Sequence, residues 1–264
     1  MEHAAVAITL GLAIGLFSGL FGVGGSSIST PLLRIFLGTP SLIALASPLP
    51  VTLPAAVAGG VVYQRQGLVN LRAVIWTSMG GMPSVVLGAL LTRWVPGHWL
   101  MFFTAAVVFI VGVQLVRSQS PAFEGDATQL AKRRWERPPA PPPATALLAV
   151  AAAIGLLSGL LANGGGFLLV PALVLLFGAN LREAAATSLP CVALLALPGT
   201  VTHALLGHVD GWLSFQLSVG VIPATYLGAR VSLWLRHIRL RRPFGAFMLA
   251  FGVYFFVREL LKTI

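Results

Sequence analysis

The sequence contains two related stretches, Gly15-Leu16-Phe17-Ser18-Gly19-Leu20-Phe21-Gly22-Val23-Gly24-Gly25-Ser26 and Gly155-Leu156-Leu157-Ser158-Gly159-Leu160-Leu161-Ala162-Asn163-Gly164-Gly165-Gly166. In each, an apolar segment runs into consecutive glycines, and a second apolar segment leaves them and reaches Pro31 or Pro171. Glycine adopts backbone angles that other residues resist, so a helix can break there and leave N–H and C=O groups unpaired. In an apolar chain such a break is costly unless it lines a cavity or binds a ligand. We therefore predict that the two breaks form the functional centre.

The composition is that of a membrane protein. Of the 264 residues, 57% are hydrophobic and only 9% are charged, and the mean hydropathy is +0.90. Apolar segments long enough to cross a lipid bilayer recur along the chain, which predicts an all-α polytopic membrane protein. The net charge of +10 comes from basic residues in short loops between these segments, so it indicates topology and not nucleic-acid binding. The single cysteine, Cys191, excludes an intrachain disulfide and a multi-cysteine metal cluster.

The pattern of the first half restarts at a constant offset of 140 residues, with no gap needed. Glycine, proline and tryptophan keep this register over the whole half, in the pairs Gly59/Gly199, Gly67/Gly207, Pro83/Pro223, Gly88/Gly228 and Trp94/Trp234. Such agreement indicates a duplication, as is common in secondary transporters. We predict a first transmembrane repeat at 1–117, a proline-rich basic cytoplasmic linker at 118–143, and a second transmembrane repeat at 144–264.

Basic loops predict the orientation of the two halves. The densest are the linker around 132–137 and the loop at 236–242, and a smaller pair is Arg65 and Arg72. If the short apolar segments at 27–37 and 167–177 cross the membrane, all three basic regions lie in the cytoplasm, where the positive-inside rule places them. Each half then has about five membrane segments, and this odd number inverts the second half. We therefore predict an inverted repeat of ten segments with both termini outside. The alternative is eight spans with two re-entrant hairpins.

The breaks suit a small anion. A helix N-terminus that follows a glycine turn offers unpaired N–H groups and a positive dipole end, so it can hold an anion without a buried lysine or arginine. Two such ends facing each other near the bilayer midplane would form one site. The predicted binding residues are the break residues and nearby neutral donors: Gly24, Gly25, Ser26, Ser47, Asn163, Gly164, Gly165, Gly166, Thr187 and Ser188. Gly15 and Gly19 are interpreted as helix-packing glycines, and Ser18 and Ser158 as hydroxyls bonded to their own backbone.

Both glycine stretches resemble the repeated signature of the TauE/SafE sulfite exporter family, also called the TSUP transporters. The segments at 182–189 and 203–212 resemble the second-half pattern of that family, and the likeness covers nearly the whole chain outside 118–143. The resemblance implies a secondary transporter of the cell (inner) membrane that moves small sulfur-containing anions or organosulfonates, such as sulfite, sulfoacetate or thiosulfate. The chain departs from the family pattern at Ser26 and Ala162, which replace glycines, and at Gly211, which is inserted before Trp212.

His203 is the candidate for proton coupling. It lies near the end of an apolar segment, opposite Tyr63 in the repeat, and histidine titrates near neutral pH. The simpler interpretation is an interfacial histidine that makes one hydrogen bond.

Rival functions are less well supported by the sequence. An enzyme is not expected, because the chain lacks a His-Glu-x-x-His motif and paired carboxylates within its apolar segments. We accordingly expect no catalytic residues, no metal site and no cofactor. The alternative function is an anion channel or a transporter of another small organic anion.

Overall fold

The described part of the chain is built from helices. The computed structural model describes residues 2–22, 24–117, 144–179, 181–234, 246, 249–250, 252–258 and 261. In chain order the helices are α1 (Glu2–Phe21), α2 (Ser26–Phe36), α3 (Ser41–Ala46), α4 (Pro48–Gln64), α5 (Leu71–Leu91), α6 (Gly97–Arg117), α7 (Ala144–Leu160), α8 (Gly166–Leu175), α9 (Leu181–Leu205) and α10 (Gly211–Trp234). Residues 252–258 are also helical, and no strand occurs within the ranges given. The predicted linker at 118–143 and the basic loop at 236–242 lie outside the described residues.

Several helices are long and apolar enough to cross a bilayer. Within the described ranges these candidate spans are Ala4–Phe21, Ser41–Gln64, Leu71–Leu91 and Arg182–Leu205. By contrast, α2 has 11 residues and α8 has 10, so each covers only about half of a hydrocarbon core ~30 Å thick. Large apolar side chains such as Leu87, Phe215 and Leu227 are exposed, as a lipid-facing surface requires. The predicted class of an all-α membrane protein is confirmed.

Helices from opposite halves pack closely at glycine-lined crossings, α1 along α10 and α5 along α7. At the first crossing a Cβ atom on Gly19 would clash with the carbonyl oxygen of Thr225, and at the second a Cβ atom on Gly159 would clash with that of Val85. Gly19 and Gly159 are counterparts at the offset of 140, and so are Val85 and Thr225. The two crossings are therefore the same contact with the halves exchanged.

The counterpart helices α4 and α9 pack against each other in antiparallel directions. A Cβ atom on Gly59, late in α4, would lie 3.1 Å from the side chain of Leu189, early in α9. A Cβ atom on Gly199, late in α9, would lie 3.8 Å from the side chain of Leu49, early in α4. The late part of each helix therefore meets the early part of the other. Superposing one half on the other would reverse the direction of these two helices.

Gly19→Ala is expected to lower the melting temperature of the purified protein, because the added methyl group has no room beside the Thr225 carbonyl. Overpacking of a tight contact costs about 1–3 kcal/mol, which we expect to appear as a fall of several degrees. Gly211→Ala is the control, since a Cβ atom there meets nothing within 4 Å. Equal melting temperatures for the two variants would contradict a packing role for Gly19.

Candidate functional site

The first glycine break joins α1 to α2. Gly22 and Gly24 have φ angles of 67° and 74°, and Gly25 has a φ of 74°. The carbonyl of Gly25 accepts the N–H of Ser29 at 3.0 Å, which starts α2. A Cβ atom on Gly25 would lie 2.9 Å from Cγ2 of Ile14. Both the left-handed backbone and the nearness of α1 therefore require glycine at this position.

The second break joins α7 to α8 and repeats this geometry. Gly164 and Gly165 have φ angles of 64° and 75°, and the carbonyl of Gly165 accepts the N–H of Leu169 at 2.9 Å. Gly166 is the first residue of α8. Ala162, one of the departures from the glycine pattern, has a φ of 48° and is buried. A left-handed backbone is strained for alanine. The turn nevertheless has the positive φ that its counterpart Gly22 adopts, so the surrounding structure imposes this conformation.

One buried apolar cluster contains a residue from the start of each of α2 and α8. Ile28 in α2 and Phe167 in α8 belong to one buried apolar cluster, together with Phe21 at the end of α1. The first break is inserted between α4 and α9, because Thr52 Oγ1 donates to the Gly24 carbonyl at 3.3 Å and Ser188 Oγ donates to the Gly22 carbonyl at 2.6 Å. The structure thus brings the predicted residue Ser188 to the first break, although it lies in the second half of the chain.

Ser47 and Thr187 contact interhelical loops. Ser47 Oγ accepts the N–H of Asp210 at 3.0 Å, and Thr187 Oγ1 accepts the N–H of Asn70 at 3.1 Å. The side chains of Asp210 and Asn70 in turn cap the first turns of α10 and α5. These predicted donors are acceptors in these two bonds, and the bonds fix where the next helix begins.

Asn163 lies within the second break. It is buried, and its backbone N–H donates to the Ser158 carbonyl at 3.1 Å. This bond ties the turn to the last residues of α7.

A small cavity lies beside the first break. It is lined by the break glycines and by residues of α1, α2, α4 and α10, namely Ile14, Gly24, Gly25, Ser29, Pro48, Val51, Thr52, Leu217 and Val221. Its volume of about 10 Å³ holds at most about one water molecule. The cavity is thus closed to an anion of the size of sulfite in this conformation.

Sequence reasoning missed two hydroxyls in the wall of this cavity. Ser29 Oγ donates to the Gly25 carbonyl at 2.8 Å. The hydroxyl proton of Thr52 is shared between the Pro48 carbonyl at 2.9 Å and the Gly24 carbonyl at 3.3 Å. The position of Ser29 four residues after Gly25 was a signal that could have identified it, since that spacing returns a helical side chain to the same face. The position of Thr52 depends on how α4 packs, which the sequence does not display.

His203 is 1% exposed and has a partner at each ring nitrogen. Nε2 lies 2.8 Å from the Gly159 carbonyl oxygen, and Nδ1 lies 3.2 Å from Nδ1 of His208. Because a carbonyl only accepts, Nε2 carries the proton in the neutral ring, and Nδ1 accepts from His208. The counterpart Tyr63 donates its hydroxyl to the Gly19 carbonyl at 2.9 Å. Equivalent bonds are therefore made to the last turns of α1 and α7, just before each break.

His208 lies in the loop between α9 and α10. Its partial burial, together with the positive charge of Arg93, lowers the pKa of His208 below its ordinary value. The neutral form that can both donate to His203 and accept a proton is therefore favoured.

Comparison with known proteins identifies the family. The sequence model described as "Sulfite exporter TauE/SafE" matches residues 7–255. The chain belongs to the TauE/SafE family. It is 28% identical over 258 residues to a "Probable membrane transporter protein" of Xylella fastidiosa (strain 9a5c), covering 96% of this chain and 95% of that protein. It is 26% identical over 235 residues to the "Probable membrane transporter protein YjnA" of Bacillus subtilis (strain 168), covering 85% of this chain and 89% of that protein. No solved structure matches the chain.

The family assignment confirms the resemblance drawn from the glycine stretches. TauE/SafE proteins form a transporter family. The two relatives are named as probable membrane transporters, and the alignments cover nearly their whole length. Together with the apolar helices, this makes the chain a multi-pass membrane transporter.

Proposed function

We propose that this TauE/SafE protein is a secondary transporter of small sulfur-containing anions or organosulfonates, the class of sulfite, sulfoacetate and thiosulfate. The observation that carries the proposal is the pair of helix N-termini, each preceded by a glycine with positive φ, whose residues Ile28 and Phe167 belong to one buried apolar cluster. The first N–H groups of a helix and its positive dipole end favour an anion over a cation. The name of the family supports a sulfur oxyanion.

The transported anion binds between the breaks once the helices around them move apart. The cavity at Gly24 and Gly25 is too small for sulfite in the present conformation. Secondary transporters alternate between conformations that open a central site to one side of the membrane at a time. The packed crossings α1–α10 and α5–α7 are suited to move as rigid pairs around such a site.

We also propose that the halves form an inverted repeat of ten segments in the inner membrane. Asn70 contacts Thr187 at one end of α4, and its counterpart Asp210 contacts Ser47 near the other end. Equivalent contacts of the two halves thus lie at opposite ends of α4, which supports an inverted arrangement. Arg65 lies at the Asn70 end, which the positive-inside rule places in the cytoplasm.

Single cysteines at counterpart positions test the inversion. In a Cys191→Ala background, Arg65→Cys and Leu205→Cys place exposed thiols at the ends of α4 and α9. We expect a membrane-impermeant maleimide added to intact cells to label residue 205 at once and residue 65 only after permeabilisation. Labelling of both residues from outside would mean that the repeats are parallel.

Alanine substitutions at the breaks test the anion site. Gly25→Ala and Gly165→Ala strain the left-handed backbone by about 1–3 kcal/mol, so we expect the affinity for the anion to fall roughly ten- to a hundred-fold. Binding to purified protein is measured by calorimetry with sulfite, thiosulfate and sulfoacetate, and with chloride and sulfate for comparison. Gly38→Ala is the matched control, because Gly38 also has a positive φ of 63° but meets nothing within 4 Å. Wild-type affinity in both break variants would place the site elsewhere.

Protons are the coupling ion in this proposal, and His203 carries them. Protonation of His203 makes both of its nitrogens donors, so the bond from His208 is lost while the bond to the Gly159 carbonyl persists. The proton therefore changes the contact between the α9–α10 loop and the second break.

His203→Gln is expected to flatten the pH dependence of transport in proteoliposomes while leaving anion binding intact. Tyr63→Phe removes the equivalent bond at the first break and is the control, since tyrosine does not titrate near neutral pH. It should leave the pH profile unchanged. An unchanged profile in His203→Gln would restrict His203 to a structural role.

A further inference from the structure

Two buried hydroxyls lie beside the glycines that start α2 and α8. Ser18 on α1 is 0% exposed and Ser158 on α7 is 2% exposed. A Cβ atom on Gly25 would lie 3.6 Å from Ser18 Oγ, and one on Gly165 would lie 3.3 Å from Ser158 Oγ. The serines are counterparts at the offset of 140, so each half places one hydroxyl against the N-terminus of its own broken helix.

Neither hydroxyl has a hydrogen-bond partner within the described residues. Other helical hydroxyls donate to the carbonyl four residues earlier: Ser29 to Gly25, Thr104 to Leu100 and Thr225 to Val221. The prediction that Ser18 and Ser158 bond their own backbone is therefore wrong for this conformation. A buried hydroxyl without a partner is unfavourable, and chance does not readily leave one at the same place in both halves.

The backbone of the two serines is already in use. The Ser18 carbonyl accepts the N–H of Gly22 at 2.8 Å, and the Ser158 carbonyl accepts the N–H of Asn163 at 3.1 Å. These bonds fix the turn that leads into each break. The hydroxyls are consequently held in position by a rigid backbone while their own donor capacity stays unused, which is the arrangement of a prepared binding group.

We propose that Ser18 and Ser158 bind the transported anion, each donating its hydroxyl to an oxygen of the anion held at the adjacent helix N-terminus. This inference rests on the proposed function and names two of the residues that perform it. The helix ends supply diffuse positive potential, whereas a hydroxyl supplies a directed, charge-assisted hydrogen bond. Two such donors from opposite halves suit an oxyanion with several acceptor oxygens, such as sulfite or a sulfonate, better than a halide.

Ser18→Ala and Ser158→Ala separate a binding role from a structural one. Removing an unpartnered buried hydroxyl leaves the anion-free protein equally or more stable, so we expect an unchanged or higher melting temperature. The affinity of the full-length purified protein for sulfite and sulfoacetate, measured by calorimetry, should fall about ten-fold for each substitution, equivalent to ~1.4 kcal/mol. Chloride binding should change less than sulfite binding.

Ser78→Ala is the matched control. Its hydroxyl is also buried and finds no partner among the residues that the structure describes, but Ser78 is not among the nearest neighbours of Gly25 or Gly165. It should reproduce the stability effect and keep the wild-type affinity.

Three outcomes would overturn the inference. Wild-type affinity in both serine variants would exclude the hydroxyls from the site while leaving the proposed function intact. A lower melting temperature of anion-free Ser18→Ala would mean that the hydroxyl is bonded within the protein. Absence of binding of sulfite, thiosulfate and sulfoacetate by the wild-type protein would remove the proposed function, and the inference with it.

Discussion

An interrupted helix inside a bilayer leaves backbone groups that no water can satisfy, and the structure meets this constraint on the carbonyl side with side-chain donors. Ser188 donates to the Gly22 carbonyl and Thr52 to the Gly24 carbonyl at the first break. Tyr63 and His203 donate to glycine carbonyls in the last turns of α1 and α7. The carbonyl groups near the breaks thus receive hydrogen bonds from side chains of the protein. The N–H groups at the starts of α2 and α8 are the groups suited to an anion.

Close helix packing determines where the breaks lie. The glycine contacts between α1 and α10 and between α5 and α7 let the backbones approach so closely that a methyl group would not fit. Each crossing joins a break-bearing helix of one half to a helix of the other half. The helix that precedes each break is therefore held against a helix of the other half.

The sequence predicted those features that depend on backbone conformation. Consecutive glycines marked the helix breaks, and Gly15 and Gly19 were interpreted as helix-packing glycines, which agrees with their close contacts to the α10 backbone. Hydrogen-bond partners were less accessible. Ser47 and Thr187 bond to loops that are distant in sequence, and Ser18 and Ser158 lack the local bond that serines in helices usually form. Such choices depend on which helices pack together, and a single sequence does not contain that information explicitly.

The duplication constrains the backbone more strictly than the side chains. Around the first break the cavity is lined by Val51 and Leu217, whereas their counterparts at the offset of 140 are Cys191 and Thr77. The bond that holds each break is conserved between the halves, yet its donor is a tyrosine in one and a histidine in the other. Gly19 and Gly159 thus present equivalent carbonyls to two different side chains. Two halves with similar backbone geometry at their breaks therefore carry different side chains around them.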